Sequence, residues 1–191
     1  MGNGIITKHI LAQVLFSLCE NEKFSKITIE RITTKAGIHR KTFYYHFEDK
    51  YALLKWCYWE DSLKYLDQTP TSEDNWTVQA IMMLKQIEAR YQFYKNAIYC
   101  DDNTWGNFFT EIFEKNFYNL LCRLEQKQNL EATHKEFYAR FFAHGWNGII
   151  SEWIFDRKGQ TAEQVILKLK LLEKEGILLS PNLNIYNCNL R

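Results

Sequence analysis

Residues 28–50, TIERITTKAGIHRKTFYYHFEDK, constrain the fold more tightly than any other part of this chain. Ile29, Ile32 and Ala36 fall on one face at helical spacing. Gly37 follows at once, and glycine reaches the left-handed backbone that ends a helix and turns it sharply at no steric cost. His39, Arg40, Lys41 and Thr42 then put basic and hydroxyl groups at the start of a second helix, which Phe43, Tyr44, Tyr45, His46 and Phe47 complete. Asp49 is suited to cap a further helix that opens at Lys50. Two short helices joined by a tight glycine turn make a helix-turn-helix, a unit that lays its second helix in the DNA major groove.

The side chains of that second helix divide by chemistry. Arg40 and Lys41 stand at the end that faces base edges in such docking. An arginine there can bridge guanine O6 and N7 with two hydrogen bonds. His39, in the turn, can donate to a base or a phosphate. Thr42 offers a hydroxyl, and a methyl suited to the thymine methyl. Tyr44, Tyr45, His46 and Lys50 carry donors for phosphate oxygens, contacts that fix register without reading sequence. Thr28 and Lys50 lie at helix starts, where backbone N–H groups favour an anion. Phe43 and Phe47, four apart, are core residues.

Two prolines and eight glycines in 191 residues leave few breakers, which favours long helices. The apolar spacing predicts a first helix over about 5–20, with Ile6, Ile10, Val14 and Leu18 as its face and Leu11 and Leu15 widening it. The helix behind Asp49 is expected to reach about residue 66. Thr69-Pro70-Thr71-Ser72 is the clearest break. Further helices are expected over 75–94, 104–126, 132–155 and 161–174, with a short helix or turn at 96–103. Thr161 caps the last of them. No alternating strand pattern competes, so the expected class is all-α with about nine helices. The chain divides into a helix-turn-helix DNA-binding domain (1–50), a helical ligand-binding and dimerisation domain (51–175) and a flexible tail (176–191).

The net charge of +1 hides an asymmetry: residues 1–50 hold eight Lys/Arg against five Asp/Glu, and the remainder sixteen against eighteen. A basic head on a slightly acidic body suits a DNA-reading unit. The five cysteines form no CxxC pair, so no zinc site or metal cofactor is expected. An odd count without a secretion signal fits reduced thiols in a cytoplasm. No apolar run is long enough to span a membrane. His134 and His144 lack the four-residue spacing of a helical metal pair, and neither a phosphate loop nor a nucleophile elbow is present. Enzyme activity is not expected.

Thr28, Ile32, Ala36, Gly37, Thr42, Phe43, Tyr44, Tyr45, His46, Phe47 and Lys50 together resemble the DNA-binding region of the TetR/AcrR family of bacterial transcription factors. Tyr44-Tyr45-His46-Phe47 followed by Lys50 is the most specific part, and the close match covers about residues 5–56. The resemblance implies a regulator that binds an operator as a homodimer and answers a small effector. It also implies phosphate contacts from Thr28, Tyr45, His46 and Lys50. Glu48 stands where the family often has Lys, and Asn21-Glu22 where it often has Gly. RYQFYKNAI and GWNGIISEWI make the body similar to a subgroup that regulates dihydroxyacetone kinase operons. In that subgroup, activation with a protein partner is the alternative to repression.

The last two helices are the expected dimer surface, as the resemblance implies. Phe142, Trp146, Ile149, Ile150 and Trp153 share one face, and Ala162, Val165, Ile166, Leu169 and Leu172 share another. Gly145 and Gly148 allow close helix approach. Dense aromatics mark the middle helices: Tyr91, Tyr94, Trp105, Phe108, Phe109 and Phe113. The resemblance places an effector pocket among them, with Arg90 and Glu111 as its polar groups.

Overall fold

Capping chemistry sets the helix boundaries. In a computed structural model, which describes residues 2–66, 75–100, 102–124, 132–157 and 159–174, Thr28 Oγ1 accepts from the Arg31 N–H at 3.3 Å and starts α2, Ile29–Ala36. Gly37 ends that helix at φ 66°, its N–H shared by the Thr33 and Thr34 carbonyls. α3 follows as Arg40–His46. Asp49 Oδ1 accepts from the Ala52 N–H at 2.7 Å and starts α4, Lys50–Asp61. Thr161 and Gln164 cap the last helix reciprocally, N–H to side-chain oxygen at 2.9 and 3.4 Å. The other helices are α1 Gly2–Cys19, α5 Asn75–Ala89, α6 Tyr91–Ala97, α7 Thr104–Leu124, α8 Ala132–Phe155 and α9 Ala162–Lys174. There is no strand among the described residues. The expected break at Thr69-Pro70-Thr71-Ser72 and the tail 176–191 lie outside them.

Three elements depart from the sequence reading. The buried face of α1 is Leu11, Leu15 and Leu18 with Ala12, Phe16 and Cys19, while Ile6 and Ile10 are exposed. α1 packs on α2, α4 and α6 through the face of Leu11, Leu15 and Leu18, and Ile6 and Ile10 lie off that face, although this end of α1 still meets its neighbours, with Lys8 over the Phe47 ring at 5.4 Å and His9 against Trp56 at 5.1 Å. The helix expected over 75–94 is two helices, because Arg90 leaves helical geometry at φ −113°, ψ 33°. The apolar period of Ile81, Leu84, Ile87, Tyr91 and Tyr94 continues across that break, which hides it. The helix behind Asp49 stops at Asp61 and gives way to a 3-10 turn over Leu63–Tyr65.

One apolar cluster runs from Leu11 to Leu169 and joins head to body. Rings form its spine: Phe16 meets Phe93 at 4.8 Å, Tyr58 meets Trp105 at 5.2 Å, and Phe109 stacks on Phe113 at 4.1 Å. Trp146 continues it, 5.3 Å from Phe113 and 5.4 Å from Trp76. Such pairs contribute about 0.5–1.5 kcal/mol each beyond their area burial. α7 and α8 make the most extensive helix–helix contact.

Candidate nucleic-acid interface

The helix-turn-helix is held from behind by Phe24, Ile32 and Phe43, all fully buried, and by Phe47. That anchoring turns the polar side of α3 outward. His39, Arg40, Lys41, Tyr44 and Tyr45 are exposed, as is Thr28, while Thr42 and His46 are half-buried. Tyr45 is 84% exposed, far more than a packing role requires. His39 occupies the N-cap position without a side-chain cap bond, so its ring is not committed to the helix. The Thr28 hydroxyl oxygen accepts from Arg31, which leaves its O–H able to donate outward. Arg31 itself is tied to Glu22 at 2.6 Å. Arg40 Nη2 donates to the Tyr44 hydroxyl at 3.0 Å.

Lys50 stands apart from its expected phosphate role. Its ammonium donates to the carbonyls of Phe24 (3.2 Å), Ser25 (3.4 Å) and Ile27 (3.0 Å). It also lies over the Phe24 ring at 4.5 Å. An ammonium has three protons, and three carbonyls meet them. Burial holds its pKa below the usual lysine value. Lys50 therefore ties the start of α4 to the 3-10 turn at Phe24–Lys26, which precedes α2. It is turned inward, and a phosphate could be gripped only by breaking this tie.

Comparison with known proteins bears on the whole chain. A family model described as "Bacterial regulatory proteins, tetR family" matches residues 20–57. A second, "Transcriptional regulator C-terminal region", matches residues 74–174, more than half of the chain. The chain belongs to the TetR family of transcriptional regulators. It is 24% identical over 167 residues to the HTH-type dhaKLM operon transcriptional activator DhaS of Lactococcus lactis, covering 86% of this chain and 87% of that one. A solved structure of a dihydroxyacetone kinase operon activator DhaS superposes with TM-score 0.68 at 24% identity, over 90% of this chain and 96% of that one. The fatty acid degradation regulator FadR from Bacillus halodurans gives TM-score 0.66 at 13% identity, over 90% and 96%. These structures share the fold.

Behind the TetR-family head lies a polar cluster that sequence reasoning missed. The Asp61 carboxylate, 7% exposed, accepts from Arg90 Nε at 2.6 Å and from the Tyr94 hydroxyl at 3.0 Å. Tyr94 Oη also meets Ser62 Oγ at 2.8 Å, and the Arg90 guanidinium lies over Phe16 at 4.3 Å. Asn96 Nδ2 donates to the Cys19 carbonyl at 2.8 Å. α1 and α4 are thus bonded to α6 and its N-cap residue Arg90. Burial pushes the Asp61 carboxyl above its ordinary range despite Arg90 and Tyr94. No local signal marks the cluster, since Asp61 and Arg90 are 29 residues apart.

The residues expected to line an effector pocket are mostly packed away. Tyr94, Trp105, Phe109 and Phe113 are buried. Tyr91 is half-buried, with its hydroxyl on the Phe155 carbonyl at 3.3 Å and its ring under Arg157 at 4.2 Å. Phe108 is half-buried beneath the Lys55 ammonium at 4.4 Å. Arg90 is taken by Asp61, and Glu111 lies 4.0 Å from Lys55. Burial pushes the Cys19 thiol up to about 12, which leaves it inert. Among the described residues no group of three His, Cys, Asp or Glu side chains could hold a metal ion, and no helix is long and apolar enough to cross a membrane.

The expected dimer residues need correction. Trp146, Ile150, Trp153, Ala162, Val165, Ile166 and Leu169 are buried within the single chain. Phe142 is half-buried and stacks on Phe117 at 5.3 Å. Of the named α8 set only Ile149 is exposed. Leu172 lies where side chains are not described. α8 carries two apolar stripes, and the one facing out is Phe137 and Phe141, continued by His144, Gly145 and Gly148. On α9 the outward residues are Leu167 and Leu171. Phe137, Arg140, Phe141, His144 and Gly145 line a depression in this surface. Apolar period alone marks both stripes of α8 and does not say which of them the chain buries itself.

Proposed function

We propose that this chain is a sequence-specific regulator that binds a palindromic DNA operator as a homodimer. The observation that carries this reading is α3: Arg40, Lys41 and Tyr45 stand exposed at its outer side while Phe43 and Phe47 fix it from behind. Selection of bound DNA from a random pool tests it. The expected product is a two-fold consensus whose half-sites lie on one side of the duplex. Arg40→Ala is expected to relax preference at one base pair per half-site, by about 1–3 kcal/mol. A consensus without symmetry, or one that Arg40→Ala leaves untouched, would overturn the assignment. Acting on DNA, the protein would work in the cytoplasm, and no catalytic role is assigned to it.

The outward stripe of α8 with Leu167 and Leu171 of α9 is the surface offered for the second copy. Phe137 is 65% exposed, Leu167 58% and Phe141 54%, apolar exposure that an isolated chain rarely leaves uncovered. A Cβ added at Gly145 or Gly148 meets nothing within 4 Å, so a partner helix could approach closely. Phe141→Glu places a charge in that surface at a residue outside the buried core. Sedimentation should then report a monomer with unchanged helix content. A Phe141→Glu protein that stays dimeric would move the interface elsewhere.

Two modes of control fit a TetR-family body: a small effector, most simply releasing a repressor, or a protein partner. The packing of the described rings among the middle helices favours the second. Phe109 and Phe113 stack at 4.1 Å, and Tyr94 and Trp105 meet at 5.7 Å, so a small molecule would have to part rings already in contact. The similarity to an operon activator supports activation as an alternative to repression.

A further inference from the structure

We propose that Tyr44 is a specificity-determining positioning residue, which aims the Arg40 guanidinium at one guanine of each half-site; the proposal rests on the operator-binding reading above. Arg40 opens α3, and Tyr44 stands one turn later on the same face. Arg40 Nη2 donates to Tyr44 Oη at 3.0 Å, and the guanidinium carbon lies 5.5 Å from the ring centroid. The Tyr44 ring in turn rests edge-on against Phe43 at 5.7 Å, and Phe43 is fully buried. A long, exposed arginine is thereby tethered to a stiffer side chain that itself rests against the core.

The tether leaves the chemistry of reading intact. Arginine has five N–H donors, and one is spent on Tyr44. Those left over can still meet guanine O6 and N7 together. The Tyr44 oxygen accepts from Arg40, so Tyr44 acts on DNA through the arginine it holds. Holding the guanidinium in place reduces the rotamer freedom lost when it binds. That gain applies where Arg40 meets its guanine and not where it slides over unrelated sequence. A tyrosine acting on phosphate alone would strengthen all sequences alike.

The experiment measures affinity for operator and for scrambled DNA at one fixed salt concentration. The proteins are the native chain, Tyr44→Phe, Arg40→Ala and the double variant. Arg40→Ala should lower the operator-to-scrambled ratio by about fivefold to 150-fold. Tyr44→Phe, which keeps the ring, should lower that ratio by about threefold to tenfold, with scrambled binding changed by less than about twofold. The double variant should match Arg40→Ala, since the tyrosine acts through the arginine. Equal weakening of operator and scrambled DNA by Tyr44→Phe would reduce it to a phosphate contact and overturn the proposal. So would effects that multiply in the double variant. If Arg40→Ala leaves the ratio unchanged, the operator-reading role of Arg40 falls, and the proposal falls with it.

Discussion

Arg90→Leu is expected to lower the free energy of unfolding by about 2–4 kcal/mol, because it strands the Asp61 carboxylate in the interior. Removing one partner of a buried pair leaves an uncompensated charge, and Asp61 is 7% exposed. The cost falls toward the lower part of the usual range because Arg90 itself is one-third exposed, at 34%. Tyr94 and Ser62 still bond the site, but neither supplies a positive charge. The pH dependence gives the direction. Burial already raises the Asp61 carboxyl, and loss of Arg90 raises it further. A carboxyl whose folded value lies above its unfolded value stabilises the fold below the unfolded value, and this is lost as pH rises through the folded one. The deficit of Arg90→Leu should therefore shrink as pH falls from about 8 toward 5. Urea unfolding at several pH values measures it, and a deficit independent of pH would show that the carboxylate is not the source. Operator affinity should fall as well, because the cluster joins α4 to α6.

Residues 28–50 were legible because their determinants are local. Thr28, Gly37 and Asp49 act on backbone groups within a few positions of themselves, and Phe43 and Phe47 repeat at helical spacing. α8 and α9 were legible for the same reason, with Thr161 and Gln164 capping across three residues. What escaped depends on packing between distant segments. Lys50 could be placed at a helix start but not seen to face three carbonyls more than twenty residues upstream. Arg90 leaves helical geometry within a continuous apolar period, and its side chain meets Asp61 29 residues away, neither of which the period reports. Ile6 and Ile10 match the period of α1 yet point away from the helices that Lys8, His9 and Leu11 meet. The α8 tryptophans were recognised as an apolar face, but the period cannot say which of two faces the chain buries itself.

Lys50→Met separates the two roles that sequence and structure give this residue. Methionine keeps an unbranched apolar stem, so the space beside Phe24 stays filled. It removes three donors from the Phe24, Ser25 and Ile27 carbonyls. Bonds to a charged group are worth more than neutral ones, and these are partly buried, so the expected loss is about 2–3 kcal/mol of unfolding free energy. With its protons turned inward, Lys50 releases no counterion from a phosphate when DNA binds. The slope of log affinity against log salt should then stay as it was. A lysine on a phosphate gives the reverse pair of results: a slope shallower by about one and little change in stability. Chemical unfolding and a salt titration on the same protein decide between them. A destabilised head with an unaltered slope assigns Lys50 to the tie between α4 and the turn that precedes α2. In that role it would act on DNA only by holding the helix-turn-helix together, and the expected phosphate grip would be left to the other donors, Thr28, Tyr45 and His46 among them.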